Sequence, residues 1–433
     1  VYFLDTLGVG LTGSAGPYTR ALIESQRASG AGAEARVWGH RDTWLSAASA
    51  AACNAYQIHN CEFDCVHEAA VVHPMAVLSG ALVAFAEREA RVHGRRISGR
   101  DLLLGVVLGV DVAAGLGIAA RSGLRFFRPA TAGGIGAALA IGNLMGFDRE
   151  RLVTAASIAY AQTCGTMQAH VEGSMLLGMQ VGFNARNALV ACDMAGAGIP
   201  APREVLEGQF GYFKLIETES DLQPVLESLG RTWRIEEVAH KPFPSGRATH
   251  GIVDACLTLA AVYGFSGAQV KHVNATVPPL THRLVSRPSR TDMSPNYARL
   301  SGAYVAAVAL TRGHIGIEDF SDNALHDADT LTLAERIEIQ SDDSPDPNAL
   351  TPICVEIELN NGNKHALDLD IVYGNPAKPM MRDAYLQKFT SNWMSAAAPG
   401  SSAHCTRAIE LLENLHTLED ATSLFDLLSP AAR

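Results

Sequence analysis

His59, Cys61, Glu62, Asp64, Cys65, His67, Glu68 and His73 crowd into one short stretch that ends at Pro74. Imidazoles and carboxylates set so close together tune one another's proton affinity, as general acid–base catalysis requires. Zinc is the other chemistry that such residues invite. Their spacing matches neither a two-by-two finger nor a helix-borne His-Glu-x-x-His pair, and no second Cys or His pair lies at a finger-like distance, so no metal is expected. On these residues alone, an acid–base loop and an ordinary polar surface loop both stay open.

Further along stand other groups able to hold or move charge. Arg125, Arg128 and Pro129 precede a glycine-rich apolar helix that begins near Thr131. A forked guanidinium beside a helix N-terminus receives carboxylates well; a solvated basic loop is the equal alternative. Lys241 sits in Ala239-His240-Lys241-Pro242-Phe243-Pro244, ahead of Arg247 and His250, where the character of the chain changes. Clefts at such junctions concentrate small-molecule sites. Tyr304, near Tyr297, Arg299 and Ser301 at the start of a later helix, is either a core aromatic or an acid. Gly8-Val9-Gly10-Leu11-Thr12-Gly13 matches a dinucleotide-binding glycine pattern, but the chain after it runs into polar loops and helices rather than a second strand, so no nucleotide is expected.

Helices must do most of the positioning. Hydrophobic residues make up 48% of the 433 and aromatics only 6%, which favours a core of Ala, Val, Leu and Gly at close range. Helical periodicity runs over Pro74 to His93, stopped by Gly94, and over 101–120, 132–146, 149–166, 176–197 and 202–208. After Trp233, prolines separate shorter elements. Alternation over Val270 to Val277, over Arg336 to Gln340 and along Ile353, Val355, Ile357 and Leu359, before an Asn361-Gly362 turn, predicts strands beside helices at 247–263 and 297–312. Helix returns at 381–390 and 404–415. The fold expected is mainly α: a large all-helical domain from 1–236 and 375–433, and a smaller α+β lid domain from 237–374.

A net charge of −11 without a Lys/Arg block excludes a nucleic-acid backbone as partner. Eight scattered cysteines fit a reducing compartment, and a cytoplasmic location is expected. Leu102 to Ala120 is long and apolar, but Asp101, Asp111 and Arg121 interrupt or close it, which predicts a buried helix and no membrane partner. The chain opens at Val1 rather than Met, which leaves room for a preceding segment.

Leu4-Asp5-Thr6-Leu7-Gly8, the Ala51 to Pro74 segment, Gly134 to Asp148, Lys241-Pro242-Phe243-Pro244, Ser301 to Tyr304 and Asn375 to Phe389 together resemble MmgE/PrpD proteins along nearly the whole chain. The resemblance implies a cofactor-free homodimeric enzyme acting beside carboxylates, as 2-methylcitrate dehydratases, cis-aconitate decarboxylases and iminodisuccinate epimerases do. The family's acidic loop falls on Glu62 and Asp64, its His-Pro on His73-Pro74, its lid lysine on Lys241 and its lid tyrosine on Tyr304. Where many members have a histidine before the glycine-rich helix, this chain has Arg128. Where Lys-Pro-x-His is usual, it has Leu177-Gly178-Met179-Gln180.

The function expected is a lyase of dehydratase type acting on the carbon α to a carboxylate of a small di- or tricarboxylic acid. His73, Lys241, Tyr304 and Asp64 are the expected catalytic residues, and Arg128, Glu62, His67, Arg247, His250 and Gln180 the expected substrate contacts. His73 is the favoured base, its ordinary proton affinity lying nearest neutral pH. The alternatives are an epimerase using the same proton abstraction, and a catalytically inactive member serving as a binding or scaffold protein.

Overall fold

Apolar residues at helical spacing, closed by short polar caps, build the first half of the computed structural model, which describes residues 1–30 and 32–429. The helices that matter here are α1 (Tyr2–Ser14), α2 (Ala47–His59), α3 (Pro74–His93), α4 (Gly99–Ala119), α5 (Arg128–Leu144), α6 (Arg149–Ala161) and α7 (Leu176–Gly196). Ser46, Ser98 and Asp148 cap α2, α4 and α6 by accepting from the backbone N–H of Ser49, Asp101 and Arg151. Pro74 and Pro129 sit in the first turns of α3 and α5, where a missing N–H goes unnoticed.

The small residues expected to permit close packing do so. α2 lies against α3 and α7, and α5 against α4 and α7. At Gly13 a Cβ would collide with the backbone carbonyl of Gln57, so α1 and α2 approach as only glycine allows. The Gly8 to Gly13 run is thus helical packing surface. α4 has a mean hydropathy of 2.3 over its most apolar stretch, yet Val106, Val110, Ala113 and Ala114 are buried within the protein.

Three expected helices differ. That over 297–312 breaks into Pro295–Arg299 and Gly302–Arg312, because Ser301 starts a new helix by accepting from the Tyr304 N–H. α6 ends at Ala161 rather than 166. Residues 202–208 form turns, because a segment that short, bounded by Pro200, Pro202 and Gly208, cannot repay helix nucleation.

Beyond Trp233 the chain builds a second core. α8 (His250–Tyr263) and α9 (Gly302–Arg312) pack on a four-stranded sheet. Counting after the short strands β1 (Val66–His67) and β2 (Val238–Ala239), its members are β3 (Val270–Val277), β4 (Ile337–Ser341), β5 (Ile353–Leu359) and β6 (Lys364–Leu369), in spatial order β4-β3-β5-β6. β3 runs parallel to β4, with Val273 opposite Ile337, and antiparallel to β5, with Val273 opposite Ile357. Gly362, at φ +87°, makes the β5–β6 turn. Ile252, Val273, Ala275, Ala306, Val355 and Ile357 meet in this core. The chain then returns: Phe389 and Trp393 of α10 (Arg382–Met394) join the helical core with Phe3 and Leu4 of α1.

Candidate active site

The pairing of β1 with β2 brings the polar cluster and Lys241 together. Val66 lies opposite Ala239 and His67 opposite Val238, so the loop before β1 faces the residues just after β2. Lys241 Nζ reaches Glu62 Oε2 at 2.9 Å and the Glu62 carbonyl at 3.2 Å, and stands 3.8 Å from Asp64 Oδ1. Glu62 is held at φ +51°, a left-handed conformation that disfavours side chains, and these bonds hold it there. Lys241, Glu62 and Asp64 are all buried.

Asp64 is the centre of the site. Its Oδ2 is 3.0 Å from His59 Nδ1 and 3.2 Å from His73 Nδ1. His59 Nε2 in turn lies 3.4 Å from Glu62 Oε1. His59 comes from the last turn of α2 and His73 from the residue that starts α3, so two helix ends aim both rings at one carboxylate.

The same carboxylate acts differently on the two rings. Burial alone would lower the proton affinity of His59, but Asp64 and then Glu62 outweigh it and raise it. At His73 burial wins over Asp64, helped by nearby Lys241, and lowers it. Burial would also raise both carboxyl groups. Lys241 and His59 instead hold Glu62 down at about 2, and the two histidines hold Asp64 well below the usual range. These directions make an ionised Asp64 hold a proton more readily on the His59 side than on the His73 side, a division of labour suited to acid–base chemistry.

His73 and Glu62 open onto a cavity of about 70 Å³ between the helical core and the α+β part. This is roughly five times the space that one water needs, enough for a small acid. If Nδ1 of His73 donates to Asp64, Nε2 is the basic nitrogen left for a substrate. His59, Asp64 and His73 also present ligand atoms within 4.8 Å of one another, the kind of set that holds a metal ion. A dication there would have to displace the proton between His59 and Asp64 and would face the Lys241 ammonium, which disfavours it.

Several expected site residues are employed elsewhere. Arg128 forms a forked pair with Glu217, Nε to Oε1 at 2.8 Å and Nη2 to Oε2 at 3.1 Å. It also donates to the carbonyls of Ala70 and Ser122, which leaves it little capacity for a substrate carboxylate. α5 begins at Arg128 itself, which turns that side chain into the core. Tyr304 is fully buried in a different cluster, and its hydroxyl donates to the carbonyls of Asp319 and Ala324. It is a core aromatic with a satisfied hydroxyl.

His67 sits between Glu237, 2.9 Å from Nε2, and the Ala70 N–H, which donates to Nδ1. His250 is held by Arg247 and the Ser245 carbonyl, and burial followed by Arg247 pushes its proton affinity well down. Arg247 does line the cavity, but it donates to Glu68 at 2.7 Å and to the carbonyls of Tyr373 and Val372. Gln180 accepts from the Thr166 N–H at 2.7 Å and braces the turn before His170. Leu177 lines the cavity directly.

Sequence reasoning gave no individual role to three other groups. His59 belonged to the cluster, and only the fold shows that it shares Asp64 with His73. His170 lines the same cavity without any motif to announce it. Lys388 of α10 donates to the carbonyls of Phe63 and Lys241 at 3.0 and 2.9 Å and pairs with Asp5 at 2.8 Å, so it fastens both segments of the site from behind.

Comparison with known proteins covers both parts of the chain. The family model of the MmgE/PrpD N-terminal domain matches residues 1–225, and that of the MmgE/PrpD C-terminal domain matches residues 243–415. Cis-aconitate decarboxylase of Homo sapiens is 27% identical, the alignment covering 98% of this chain and 88% of that one. The Mus musculus enzyme of the same name is 26% identical over 98% of this chain and 87% of its own. That of Aspergillus terreus is 26% identical over 98% and 90%.

Proposed function

The chain belongs to the MmgE/PrpD family, and from that premise and the site geometry we propose that it is a cofactor-independent lyase that removes the proton α to a carboxylate of a small acid. One observation carries this reading: a buried aspartate shared by two histidines of opposite proton affinity, one of which forms the wall of a cavity. The relatives named as decarboxylases are lyases, which supports the class of reaction without fixing the bond that breaks.

In the proposed mechanism the free nitrogen of His73 takes the α-proton. Asp64 holds the ring in the tautomer that leaves this nitrogen unprotonated and stabilises the imidazolium that forms. His59 and Lys241 keep Asp64 ionised throughout, so that the new charge on His73 is met by a fixed negative one. If a β-hydroxyl is present, the same imidazolium can return its proton to the departing oxygen, giving dehydration.

The di- or tricarboxylate expected from the family pattern finds few free cations at this cavity, since Arg128 and Arg247 are engaged within the protein. The test is deuterium incorporation: with a panel of 3-hydroxy acids and polycarboxylates in heavy water, an enzyme labels the α-carbon of at least one. A binding or scaffold protein labels none.

A further inference from the structure

The cavity has a second imidazole in its wall. His170 sits in the helical turn Gln168–Val171, is buried, and shares that wall with His73 and Glu62. Arg287 lies outside the wall and is fixed behind the ring. Its Nη2 donates to the carbonyls of His170 and Leu284 at 3.0 and 3.3 Å, and its guanidinium lies over Tyr297, 5.0 Å from the ring centre. The same nitrogen stands 3.3 Å from His170 Nδ1. A guanidinium offers no acceptor, so a proton on Nδ1 would meet another N–H, and the ring proton belongs on Nε2. The edge that carries it points away from Arg287 and toward the space that His170 lines. Nε2 makes no hydrogen bond to any described residue, yet it is not walled in as Nε2 of His240 is.

This donor is neutral at physiological pH. Burial, and then Arg287, bring its proton affinity down to about 4; Glu62 opposes them and Arg283 reinforces them. Neutrality matters because Glu62 is an anion in the same wall. A protonated His170 would be drawn to it, whereas a neutral N–H stays available to a substrate oxygen. The other polar groups of the wall are committed: His73 faces Asp64, Glu62 holds Lys241, and Arg247 donates to Glu68. Leu124, Phe127, Met167, Leu177, Leu284 and Leu350 offer only hydrocarbon. An open donor among such neighbours is costly while the site is empty and effective when an oxygen arrives, since little water competes for it.

We propose that His170 is a further catalytic residue: its neutral ring gives Nε2–H as a hydrogen bond to the substrate carboxylate oxygen that gains charge when His73 takes the α-proton. The inference rests on the acid–base reading above. His170 keeps its proton throughout, and no bond to it forms or breaks; it lowers the barrier by meeting charge as that charge develops. Arg287 is its positioning residue, because it fixes the tautomer from behind and keeps a second proton off the ring.

Nitrogen NMR of the full chain with isotope-labelled histidine tests the donor, with His170→Gln to assign the ring. His170 should carry its proton on Nε2 and show no titration near neutral pH; a proton on Nδ1, or titration near neutrality, overturns the proposal. In α-exchange, His170→Leu should lower kcat about tenfold or more while both limbs of the pH profile stay in place. His170→Gln, whose amide N–H has a similar reach, should recover part of the loss. Equal losses in the two variants, a wild-type rate in His170→Leu, or the disappearance of one limb overturns the neutral donor. Should His170→Leu fail to melt cooperatively, the wild type decides: an acid that exchanges must move the Nε2–H resonance, and an unmoved resonance overturns the proposal. The two claims fail separately. Exchange that survives His73→Gln but not His170→Leu keeps the donor and removes the base. If no acid exchanges, the acid–base reading falls alone, and the donor then stands if citrate or 3-hydroxybutanoate shifts Nε2–H and is overturned if neither does.

Discussion

His59 and His73 direct their Nδ1 atoms at the same oxygen of Asp64, with ring centroids 4.9 Å apart and planes at 81°. Sharing one carboxylate while carrying opposite shifts makes them the two ends of a pH window. His73 works unprotonated and its proton affinity lies below the ordinary 6.5, so activity should rise with pH through a midpoint under that value. His59 works protonated and lies above 6.5, so activity should fall again at a midpoint over it. His59→Gln should abolish the alkaline limb and keep the acid limb.

Folding stability should respond to the same groups. The raised His59 contributes stability that is fully present below 6.5 and lost as pH climbs through its folded value. Asp64 acts in the other direction: its depressed value contributes stability above 3.8 that disappears as pH falls through the folded value. Urea midpoints of the wild type and His59→Gln across pH should converge on the alkaline side.

Replacing His73 with Gln removes the proposed base and keeps a polar group of similar reach. Turnover or α-exchange should fall by about 10²–10⁴-fold, the usual contribution of a positioned base. Stability should change by only about 1 kcal/mol, since the ring is partly exposed at the cavity. Exchange at the wild-type rate would take His73 out of the mechanism.

The mainly helical architecture was legible because it rests on local pattern: period-3.6 apolar spacing, Pro at helix starts, and an Asn-Gly turn between alternating strands. Glu62, Asp64, His73 and Lys241 were legible as a set because the residue types advertise their chemistry, and β1 and β2 bring their segments together. For Arg128 and Tyr304 the local pattern was not enough. Their roles depend on whether a partner elsewhere, Glu217 or the Asp319 carbonyl, satisfies them first, and nothing local encodes that. His170 was invisible because a lone histidine belongs to no motif, and only the fold places it in the cavity wall.

The Arg128–Glu217 pair predicts a stability phenotype where a substrate contact would give a kinetic one. Glu217→Gln should leave a buried guanidinium undercompensated and destabilise the fold by about 3–5 kcal/mol. Arg128→Met combined with Glu217→Leu should recover much of the loss. In every variant that folds, KM should stay within about twofold of wild type, since a loss of stability of this kind does not alter the cavity.

Chelation should leave the reaction untouched. Asp64 Oδ2 already faces two imidazole nitrogens, and the Lys241 ammonium stands 3.8 Å from Oδ1, so cationic and imidazole groups surround the carboxylate without an ion. Incubation with EDTA followed by gel filtration should give unchanged α-exchange. A loss restored by added zinc or iron would convert His59, Asp64 and His73 into metal ligands.

Lys388 offers the sharpest separation of positioning from catalysis. Its ammonium is buried, which pushes its proton affinity down while Asp5 pulls it back up, and it binds the two carbonyls that anchor the acidic loop and Lys241. Lys388→Met removes the cation and leaves Asp5 buried without its partner, a loss of about 3–5 kcal/mol. Adding Asp5→Asn should return most of that stability, because the orphaned charge is gone. Activity should not return with it. Without Lys388 the Phe63 and Lys241 carbonyls lose the donor they share, so Glu62, Asp64 and Lys241 are held only by the β1–β2 pairing and the Lys241–Glu62 bonds and are positioned less tightly. The refolded double variant should therefore keep a wild-type melting profile to within about 1 kcal/mol, yet show a flattened pH dependence and a kcat reduced roughly tenfold or more. Full recovery of kcat in the double variant would reduce Lys388 to an ordinary structural ion.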